Sequence, residues 1–445
     1  FLFMKKAIFL DRDGTINIDY GYVSKPGDFH LLKSAGQTLK ILQDKGYLLI
    51  IITNQSGIGR KYYSLDDFYT VNSIMIRKLQ KHGVKITDIF FCPHNPDARC
   101  SCRKPSPEMV FKAAKKWNID LSHSFFIGDK TSDILCGKNS GCITIQIINS
   151  TPFKASLPET VIEQADYRIN DLCECLSIIE RVETLQKKKI ATAVIPARLR
   201  STRIPYKLLK IINGTYLLRY TYNNLLSMNI FKDIVVATDS LKIRSAARRF
   251  GARVFMTSSK HQSGTSRICE IHSKIKTPII LNVQGDEPLL SISHIDKLLF
   301  YLSQKNAACV ATAITPIKLK EHILSPSVVK VVKDNDDFAL YFSRSPVPFV
   351  RDKGRRTVFF KHLGIYGYRK EFFSLYKRFQ TSELEVWEKL EQLTFLASGV
   401  KIKLLQTQND TLGIDTLQEL KEFQKIVSLY PAYFRNLFSL KNNYD

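Results

Sequence analysis

Residues 6–15, KAIFLDRDGT, place two aspartates directly after a short apolar run. The run predicts a buried strand. Asp11 and Asp13 follow at its carboxyl end, where open α/β sheets bind their ligands. Two carboxylates one residue apart can divide the work of phosphoryl transfer, because Asp11 can attack phosphorus while Asp13 handles the proton of the leaving group. This stretch therefore predicts an α/β fold with a phosphoryl-transfer site at the end of its first strand.

Further apolar runs in the first 150 residues alternate with helical patterns. They predict strands at 48–52, 124–127 and 143–147, and a helix at 64–81 whose apolar residues recur at helical spacing. Alternating strands and helices are typical of α/β domains.

A second series of strands and helices begins near residue 190. Strands are predicted at 191–195, 234–237, 279–283, 307–313 and 363–368. Between the two series, residues 173–189 form an amphipathic helical stretch that ends in three lysines. We therefore predict an α/β protein with a first domain at 1–180, a linker at 181–189 and a second domain at 190–445.

Length and composition limit the possible classes of protein. A chain of 445 residues exceeds what one core usually supports, and no apolar run approaches the roughly 20 residues that span a bilayer. We expect a cytoplasmic protein without a membrane partner. The net charge of +25 is compatible with nucleic-acid binding, but the basic residues are scattered and carry no zinc-finger, RRM or helix-turn-helix pattern. We expect no nucleic-acid partner, and small anionic substrates would be attracted by the same charge.

Three more segments offer residues suited to a phosphate site. Thr53 and Asn54 follow the second predicted strand and can donate hydrogen bonds to phosphate oxygens. Lys104 offers a cation for the transferring group. Asp129 closes another strand, with Asp133 four residues on, which suits a magnesium ligand and its supporting residue.

A cluster of sulfur and imidazole side chains precedes Lys104. Cys92, His94, Cys100 and Cys102 lie within eleven residues. Tetrahedral zinc prefers this ligand set, and four protein ligands leave no open position, so we expect a structural zinc site. The remaining cysteines have no such spacing and are expected to be structural.

With these residues, the first domain resembles the haloacid dehalogenase (HAD) superfamily, whose sheet is Rossmann-like. The zinc loop and the CRKP sequence that ends it resemble the subgroup containing D-glycero-D-manno-heptose 1,7-bisphosphate phosphatase and histidinol-phosphate phosphatase. The resemblance implies that Asp11 is the nucleophile and Asp13 the acid/base, that Asp11, Asp13 and Asp129 hold magnesium, and that Arg103 and Lys104 contact the substrate. The motifs do not choose between a phosphorylated heptose and histidinol phosphate.

The second domain opens with a basic loop. Residues 196–207, PARLRSTRIPYK, follow its first predicted strand and concentrate the cations that a nucleoside triphosphate needs. Farther on, QGDEP at 284–288 and GIDT at 413–416 supply Asp286 and Asp415. These two aspartates can jointly hold magnesium on an α-phosphate.

Together with HQSGT, YFSR and HLGIYGY, which begin at residues 261, 341 and 362, these motifs resemble the 3-deoxy-manno-octulosonate (Kdo) cytidylyltransferases over about 190–430. The resemblance implies a nucleotide-diphospho-sugar transferase-like α/β fold, with CTP and Kdo as ligands. The implied contacts to CTP are Arg198, Arg203, Lys207, Ser263 and Arg267. The implied Kdo pocket consists of Arg344, His362, Tyr366, Glu391 and Gln392. Gln262 and Gln284 are implied between the two ligands, and a homodimer through this domain is left open.

Two residues depart from the family pattern. Tyr206 stands where the family usually has glycine, which puts turnover in doubt, and Leu417 stands where it has proline. The combined resemblance implies a bifunctional enzyme whose two products feed the inner core of lipopolysaccharide. The alternatives are a histidinol-phosphate or Kdo 8-phosphate phosphatase, or a non-catalytic scaffold, beside an active synthetase.

Overall fold

The structure is a computed structural model that describes residues 4–148, 160–199, 203–352 and 357–439. It divides into two compact units, the first comprising Phe1–Glu183 with Leu429–Ser439 and the second Thr184–Ser428. Residues 200–202 of the basic loop lie outside the described residues.

The first unit is built on a parallel sheet whose central strands are almost entirely buried. Its strands are β1 (Ala7–Leu10), β2 (Leu48–Asn54), β3 (Asp88–Cys92), β4 (Phe125–Gly128), β5 (Ile143–Ile147) and β6 (Tyr167–Ile169). Their order in the sheet is β3-β2-β1-β4-β5-β6, and each strand pairs in parallel with its neighbours. The chain leaves β1 toward β2 on one side and later returns to β4 on the other. This switch of direction places a ligand-binding crevice at the carboxyl ends of β1 and β4.

The helices of this unit connect consecutive strands. They are α1 (Ala35–Asp44), α2 (Ser56–Gly59), α3 (Leu65–Gln80), α4 (Glu108–Trp117), α5 (Thr131–Ser140) and α6 (Cys175–Lys188), whose last residues belong to the second unit. Helix α3 matches the helix predicted at 64–81. It begins at a capping box formed by Ser64 and Asp67, and its apolar face is buried.

The second unit is built on a mixed sheet. Its strands are β7 (Ala191–Ala197), β8 (Ile211–Ile212), β9 (Thr215–Tyr216), β10 (Phe231–Thr238), β11 (Arg253–Met256), β12 (Ile279–Asn282), β13 (Val310–Pro316), β14 (Lys330–Lys333), β15 (Ala339–Ser343), β16 (Phe360–Arg369) and β17 (Ile402–Gln406). The main order is β11-β10-β7-β12-β16-β13-β17. Strand β16 runs antiparallel to β12 and β13, and it also pairs with β14 of the β14–β15 hairpin.

Helices flank this sheet as well. They are α7 (Leu217–Ser227), α8 (Leu241–Arg249), α9 (Gly264–Ile271), α10 (Asp296–Leu302), α11 (Lys320–Leu324), α12 (Phe372–Tyr376), α13 (Glu383–Glu388), α14 (Gln392–Ala397) and α15 (Leu417–Leu429). The predicted architecture of two α/β domains is confirmed. None of the described helices has the length and the apolar composition needed to cross a membrane.

The last described helix, α16 (Pro431–Ser439), differs from the predicted domain limits. Those limits placed it in the second domain, whereas it belongs to the first unit and packs on α5. Phe434 and Leu437 are buried, and the Tyr430 hydroxyl donates to Glu163 Oε1 at 2.9 Å. The spacing of apolar residues along a helix shows that one face is covered, but not which core covers it.

Candidate active sites

Three acidic side chains of the first unit meet at the crevice beside β1 and β4. Asp11 follows β1, Asp129 follows β4, and Asp133 lies in the first turn of α5. All three are buried, and one carboxylate oxygen from each lies within 4.8 Å of the others. Adjacent parallel strands bring their carboxyl ends to one edge, so residues more than a hundred positions apart form one cluster.

Lys104 is buried against this cluster. Its Nζ lies 2.9 Å from Asp11 Oδ1 and 2.7 Å from Asp133 Oδ1, and donates to the carbonyl oxygen of Ile52 at 2.7 Å. Burial alone would lower the pKa of Lys104, but the two carboxylates reverse this and hold it above its usual value. Asn54 fixes the backbone here, since it accepts from Lys104 N at 3.0 Å and donates to Lys104 O at 3.2 Å.

The donor set of the cluster fits a divalent cation. Burial, followed by the charge of Asp133, raises the pKa of Asp129 to about 8. Asp129 Oδ1 is buried and has no hydrogen-bond partner among the described residues. Gly14 has φ +82°, and a Cβ there would lie 2.4 Å from Asp129 Oδ2, so glycine keeps the cradle open. Crowded oxygen ligands of this kind suit magnesium.

Asp13, expected among the metal ligands, is placed differently. Its carboxylate is held by Arg12, by Asn17 Nδ2 at 3.0 Å and by Gln55 Nε2 at 3.1 Å, whereas Asp133 supplies the third carboxylate of the cluster. Burial raises the pKa of Asp13. The Arg12 guanidinium and these hydrogen bonds lower it by more, so the pKa lies below its usual value. The cause is the buried cation of Arg12, which neutralises Asp13 locally.

Arg12 and Gln55 are site residues that the sequence motifs did not reveal. Arg12 is buried and also donates to Gln55 Oε1 at 3.2 Å, while Gln55 Nε2 donates to Thr53 Oγ1 at 2.9 Å. Arg12 lies between Asp11 and Asp13, and Gln55 follows Asn54. This position beside motif residues was the signal in the sequence that could have identified them. Thr53 thus lies in the network as expected, and the Nη1 atom of Arg103 is buried without a hydrogen-bond partner among the described residues.

The four zinc-type ligands converge. Cys92 Sγ lies 3.5 Å from Cys100 Sγ and 3.6 Å from His94 Nδ1. Cys102 Sγ lies 3.6 Å from Cys100 Sγ and 3.3 Å from His94 Nδ1. Zinc bonds of about 2.3 Å to sulfur and about 2.0 Å to nitrogen give tetrahedral edges of roughly 3.4–3.8 Å. The spacing therefore fits a four-coordinate zinc ion.

In the second unit, Asp286 and Asp415 meet around a lysine. Lys207 Nζ contacts Asp286 Oδ2 and lies 3.0 Å from Asp415 Oδ1, and Arg203 Nη1 lies 3.5 Å from Asp415 Oδ2. The structure thus brings together two expected phosphate contacts and the two expected metal ligands. The Lys207 ammonium lies between the two carboxylates, so the pair already attracts one cation and offers the oxygen ligands that magnesium prefers.

The residues expected near the nucleotide and the sugar also meet. Ser263 caps α9 and donates from its hydroxyl to Glu391 Oε1 at 2.5 Å. The hydroxyl of Tyr376 donates to the same oxygen at 2.9 Å. Burial raises the pKa of Glu391, so this carboxyl retains its proton to higher pH than an exposed glutamate.

A row of aromatic side chains connects this group to the expected sugar pocket. Tyr368, whose hydroxyl lies 2.9 Å from Thr265 Oγ1, stacks on Tyr366 at 5.9 Å, and Tyr366 lies 5.2 Å from His362 between ring centroids. Burial lowers the pKa of His362 to about 3. Its imidazole is therefore neutral at physiological pH and bonds Thr312 Oγ1 through Nε2 at 3.1 Å.

The other expected residues lie at different depths. Arg267 and Gln392 are buried, and Arg267 donates to Thr257 Oγ1. Arg198 and Gln262 are exposed, and Gln284 is half-buried just beyond β12. Within the part of the chain that the structure describes, no side-chain hydrogen bond joins these five residues to one another.

Comparison with known proteins follows the same division. A cytidylyltransferase family model matches residues 192–402, and a HAD-hydrolase-like model matches residues 101–175. The 3-deoxy-manno-octulosonate cytidylyltransferase of Geobacter sulfurreducens is 41% identical over 241 residues, covering 52% of this chain and 96% of that protein. The chain belongs to the 3-deoxy-manno-octulosonate cytidylyltransferase family.

Solved structures include relatives of both halves. A CMP:2-keto-3-deoxy-manno-octonic acid synthetase complexed with CTP is 35% identical, with a TM-score of 0.51, covering 54% of this chain and 98% of that one. A D,D-heptose 1.7-bisphosphate phosphatase from B. bronchiseptica, complexed with magnesium and phosphate, is 28% identical and covers 40% and 98%, with a TM-score of 0.35. One chain thus joins a member of the Kdo cytidylyltransferase family to a segment that matches the HAD-like hydrolases.

Proposed function

We propose that this chain is a bifunctional cytosolic enzyme that makes two precursors of the lipopolysaccharide inner core. Its second unit converts CTP and Kdo to CMP-Kdo and pyrophosphate. Its first unit removes one phosphate from D-glycero-D-manno-heptose 1,7-bisphosphate. The two products enter the same structure, which gives the fusion a metabolic reason by analogy.

In the synthetase reaction the anomeric hydroxyl of Kdo attacks the α-phosphate of CTP in line, and pyrophosphate leaves. Arg203 and Lys207 bind the triphosphate oxygens and offset their charge. Asp286 and Asp415 would hold magnesium, which would neutralise charge at the α-phosphate and lower the pKa of the attacking hydroxyl. The observation that carries this proposal is the closure of Lys207 on Asp286 and Asp415, 79 and 208 positions away in the chain.

In the phosphatase reaction the Asp11 carboxylate attacks phosphorus and forms an aspartyl-phosphate, while Asp13 protonates the leaving oxygen. Asp13 then takes a proton from the water that hydrolyses the intermediate and releases phosphate. Its lowered pKa favours the carboxylate form that this second step requires and disfavours the protonated form that the first step requires. Lys104 stabilises charge on the transferring group, and magnesium on Asp11, Asp129 and Asp133 would offset repulsion between Asp11 and the phosphate.

A phosphate-release screen of the purified full chain tests the phosphatase substrate. Heptose 1,7-bisphosphate, histidinol phosphate and Kdo 8-phosphate would be compared at equal concentrations, with the Asp11→Asn variant as the blank. We expect the highest kcat/KM for the heptose bisphosphate. A higher kcat/KM for histidinol phosphate or Kdo 8-phosphate would make that compound the substrate of the first unit. If none of the three releases phosphate, a non-catalytic first unit is favoured.

A pyrophosphate-release assay with CTP tests the synthetase. Kdo should support turnover, and omission of Kdo or magnesium should abolish it. Equal turnover with an uncharged sugar in place of Kdo would contradict an acceptor site built for an acidic sugar.

A further inference from the structure

Lys330, at the start of β14, is a fully buried lysine to which the proposed synthetase reaction gives no role. Its ammonium donates to the carbonyl oxygens of Ser325 at 2.9 Å, Val328 at 2.7 Å and Arg344. An ammonium has three donors, and all three are used by backbone carbonyls. Burying an ammonium group is costly unless its hydrogen bonds are satisfied. Because all three donors of Lys330 are used, we infer that its charge serves to organise the surrounding backbone.

The three carbonyls belong to the two segments that hold Arg344. One is the carbonyl of Arg344 itself. The other two flank Pro326, whose carbonyl oxygen accepts from Arg344 Nη1 at 2.9 Å. Lys330 therefore fixes both the backbone from which the Arg344 side chain extends and the turn on which its guanidinium rests.

Glu388 also holds Arg344 and the residue before it. Its Oε2 accepts from Arg344 N at 2.9 Å, its carbonyl oxygen accepts from Arg344 Nε at 2.8 Å, and its Oε1 accepts from Ser343 Oγ at 2.7 Å. The guanidinium has five N–H donors, and these contacts use the Nε donor and one on Nη1. The Nη1–Nη2 edge therefore keeps donors for a carboxylate, which arginine binds best through two parallel hydrogen bonds.

We propose that Lys330 is a positioning residue that sets the plane of the Arg344 guanidinium for the carboxylate of the acidic sugar substrate. The inference rests on the proposed synthetase function and on the place in the Kdo pocket that the family resemblance implies for Arg344. Lys330 acts without contacting the substrate. It holds two backbone segments at the distance and angle that Arg344 requires.

The test compares two lysines of the same strand. Lys330→Met keeps the length of the side chain and removes its donors, and we expect KM for Kdo to rise about tenfold, with kcat and KM for CTP within about twofold. Lys333→Met is the matched control, because Lys333 contacts the surface residue Asp337 and should leave all constants unchanged. An equal rise in KM for both substrates would show a merely structural role and overturn the proposal.

A double-mutant cycle separates this inference from the function on which it rests. In an Arg344→Met background, Lys330→Met should raise KM for Kdo no further, because the group it positions is gone. Fully additive effects would overturn the proposal. If Arg344→Met leaves KM for Kdo unchanged, the role of Arg344 itself is wrong and the inference falls with it.

A second substitution covers the case in which Lys330→Met does not fold, as judged by its thermal transition. Lys330→Gln keeps an amide donor but cannot reach all three carbonyls, and we expect it to raise KM for Kdo about threefold. A folded Lys330→Gln variant with normal KM for Kdo would overturn the proposal.

Discussion

In each unit a lysine lies between two aspartates, but the two groups differ in their exposure to solvent. Lys104 and its partners Asp11 and Asp133 have side chains that are 1%, 7% and 0% exposed. They come from one strand end, one helix start and a loop held by Asn54. Their geometry is therefore set by the core of the first unit.

The second group is more open. Side-chain exposure is 10% for Lys207, 23% for Asp286 and 60% for Asp415, which lies between β17 and α15 outside any regular element. Water and salt weaken ion pairs at such exposure. The comparison indicates that the buried frame of the first site holds its ion pairs in place, whereas the second site depends more on its own charges and on those of its ligands.

The largest effect is expected from Asp11→Asn. Loss of the nucleophile should reduce phosphate release by at least about a thousandfold and leave CMP-Kdo synthesis within a few-fold, because the carboxylate clusters lie in different units. Both reactions are measured on the same preparation. Asp44→Asn, at an exposed position of α1, serves as the control. Proportional loss of both activities would show that the two sites are not independent.

Asp286→Asn and Asp415→Asn should each lower kcat for CMP-Kdo synthesis by about a hundredfold or more and leave phosphate release intact. Each removes an anionic ligand whose contribution is felt mainly in the transition state, so kcat falls more than KM for CTP rises. Steady-state kinetics at saturating magnesium decides this, with Asp336→Asn, at an exposed aspartate of the same unit, as the control. Near-normal kcat in either variant would contradict the proposal that Asp286 and Asp415 together hold magnesium.

The zinc cluster gives a stability test confined to the first unit. Cys100→Ser should lose its zinc and lower the unfolding temperature of the first unit, because the binding free energy of a structural metal is part of the folding free energy. Metal analysis and a thermal scan measure both effects. Cys173→Ser, at an exposed cysteine outside the cluster, is the control. Stoichiometric zinc in Cys100→Ser would refute the ligand assignment.

Much of this organisation could be predicted from local sequence. The strands predicted at 143–147 and 279–283 match β5 and β12 to within a residue, because a short apolar run between two helical patterns is long enough for a buried strand and too short for a helix. The position of Asp11 and Asp129 at strand ends follows from the same pattern. Strand β3 was missed because it begins with a polar Asp88 and ends in the zinc ligand Cys92.

What local sequence could not supply was the partner of each side chain. Asp13 has the motif position of a metal ligand, yet its neighbour Arg12 folds back on it, while Asp133 joins the cluster. The attachment of α16 to the first unit and the hold of Lys330 on Arg344 depend on contacts between distant segments. Such contacts follow from packing, which spacing along the chain does not encode.

Tyr206 bears on the more open of the two sites. It precedes Lys207, has φ +54°, and is exposed with the Lys242 ammonium 5.8 Å from its ring centroid. The left-handed region disfavours residues with a Cβ by about 1–2 kcal/mol, which explains why a glycine would suit this position. The more flexible unfolded chain of a glycine variant offsets roughly 0.5–1 kcal/mol of that gain.

The smallest effect is therefore expected from Tyr206→Gly, and a second variant shows its origin. Tyr206→Ala removes the ring but keeps the unfavourable backbone, so urea unfolding should find Tyr206→Gly more stable than Tyr206→Ala by about 0.5–1 kcal/mol. In kinetics, equal gains in kcat for both variants would mean that the ring crowds the phosphate loop, and a gain for glycine alone would mean that the backbone limits it. We expect the latter, at no more than a few-fold, because the exposed ring points to solvent and Lys242. Greater stability of the alanine variant would contradict the left-handed conformation of this residue.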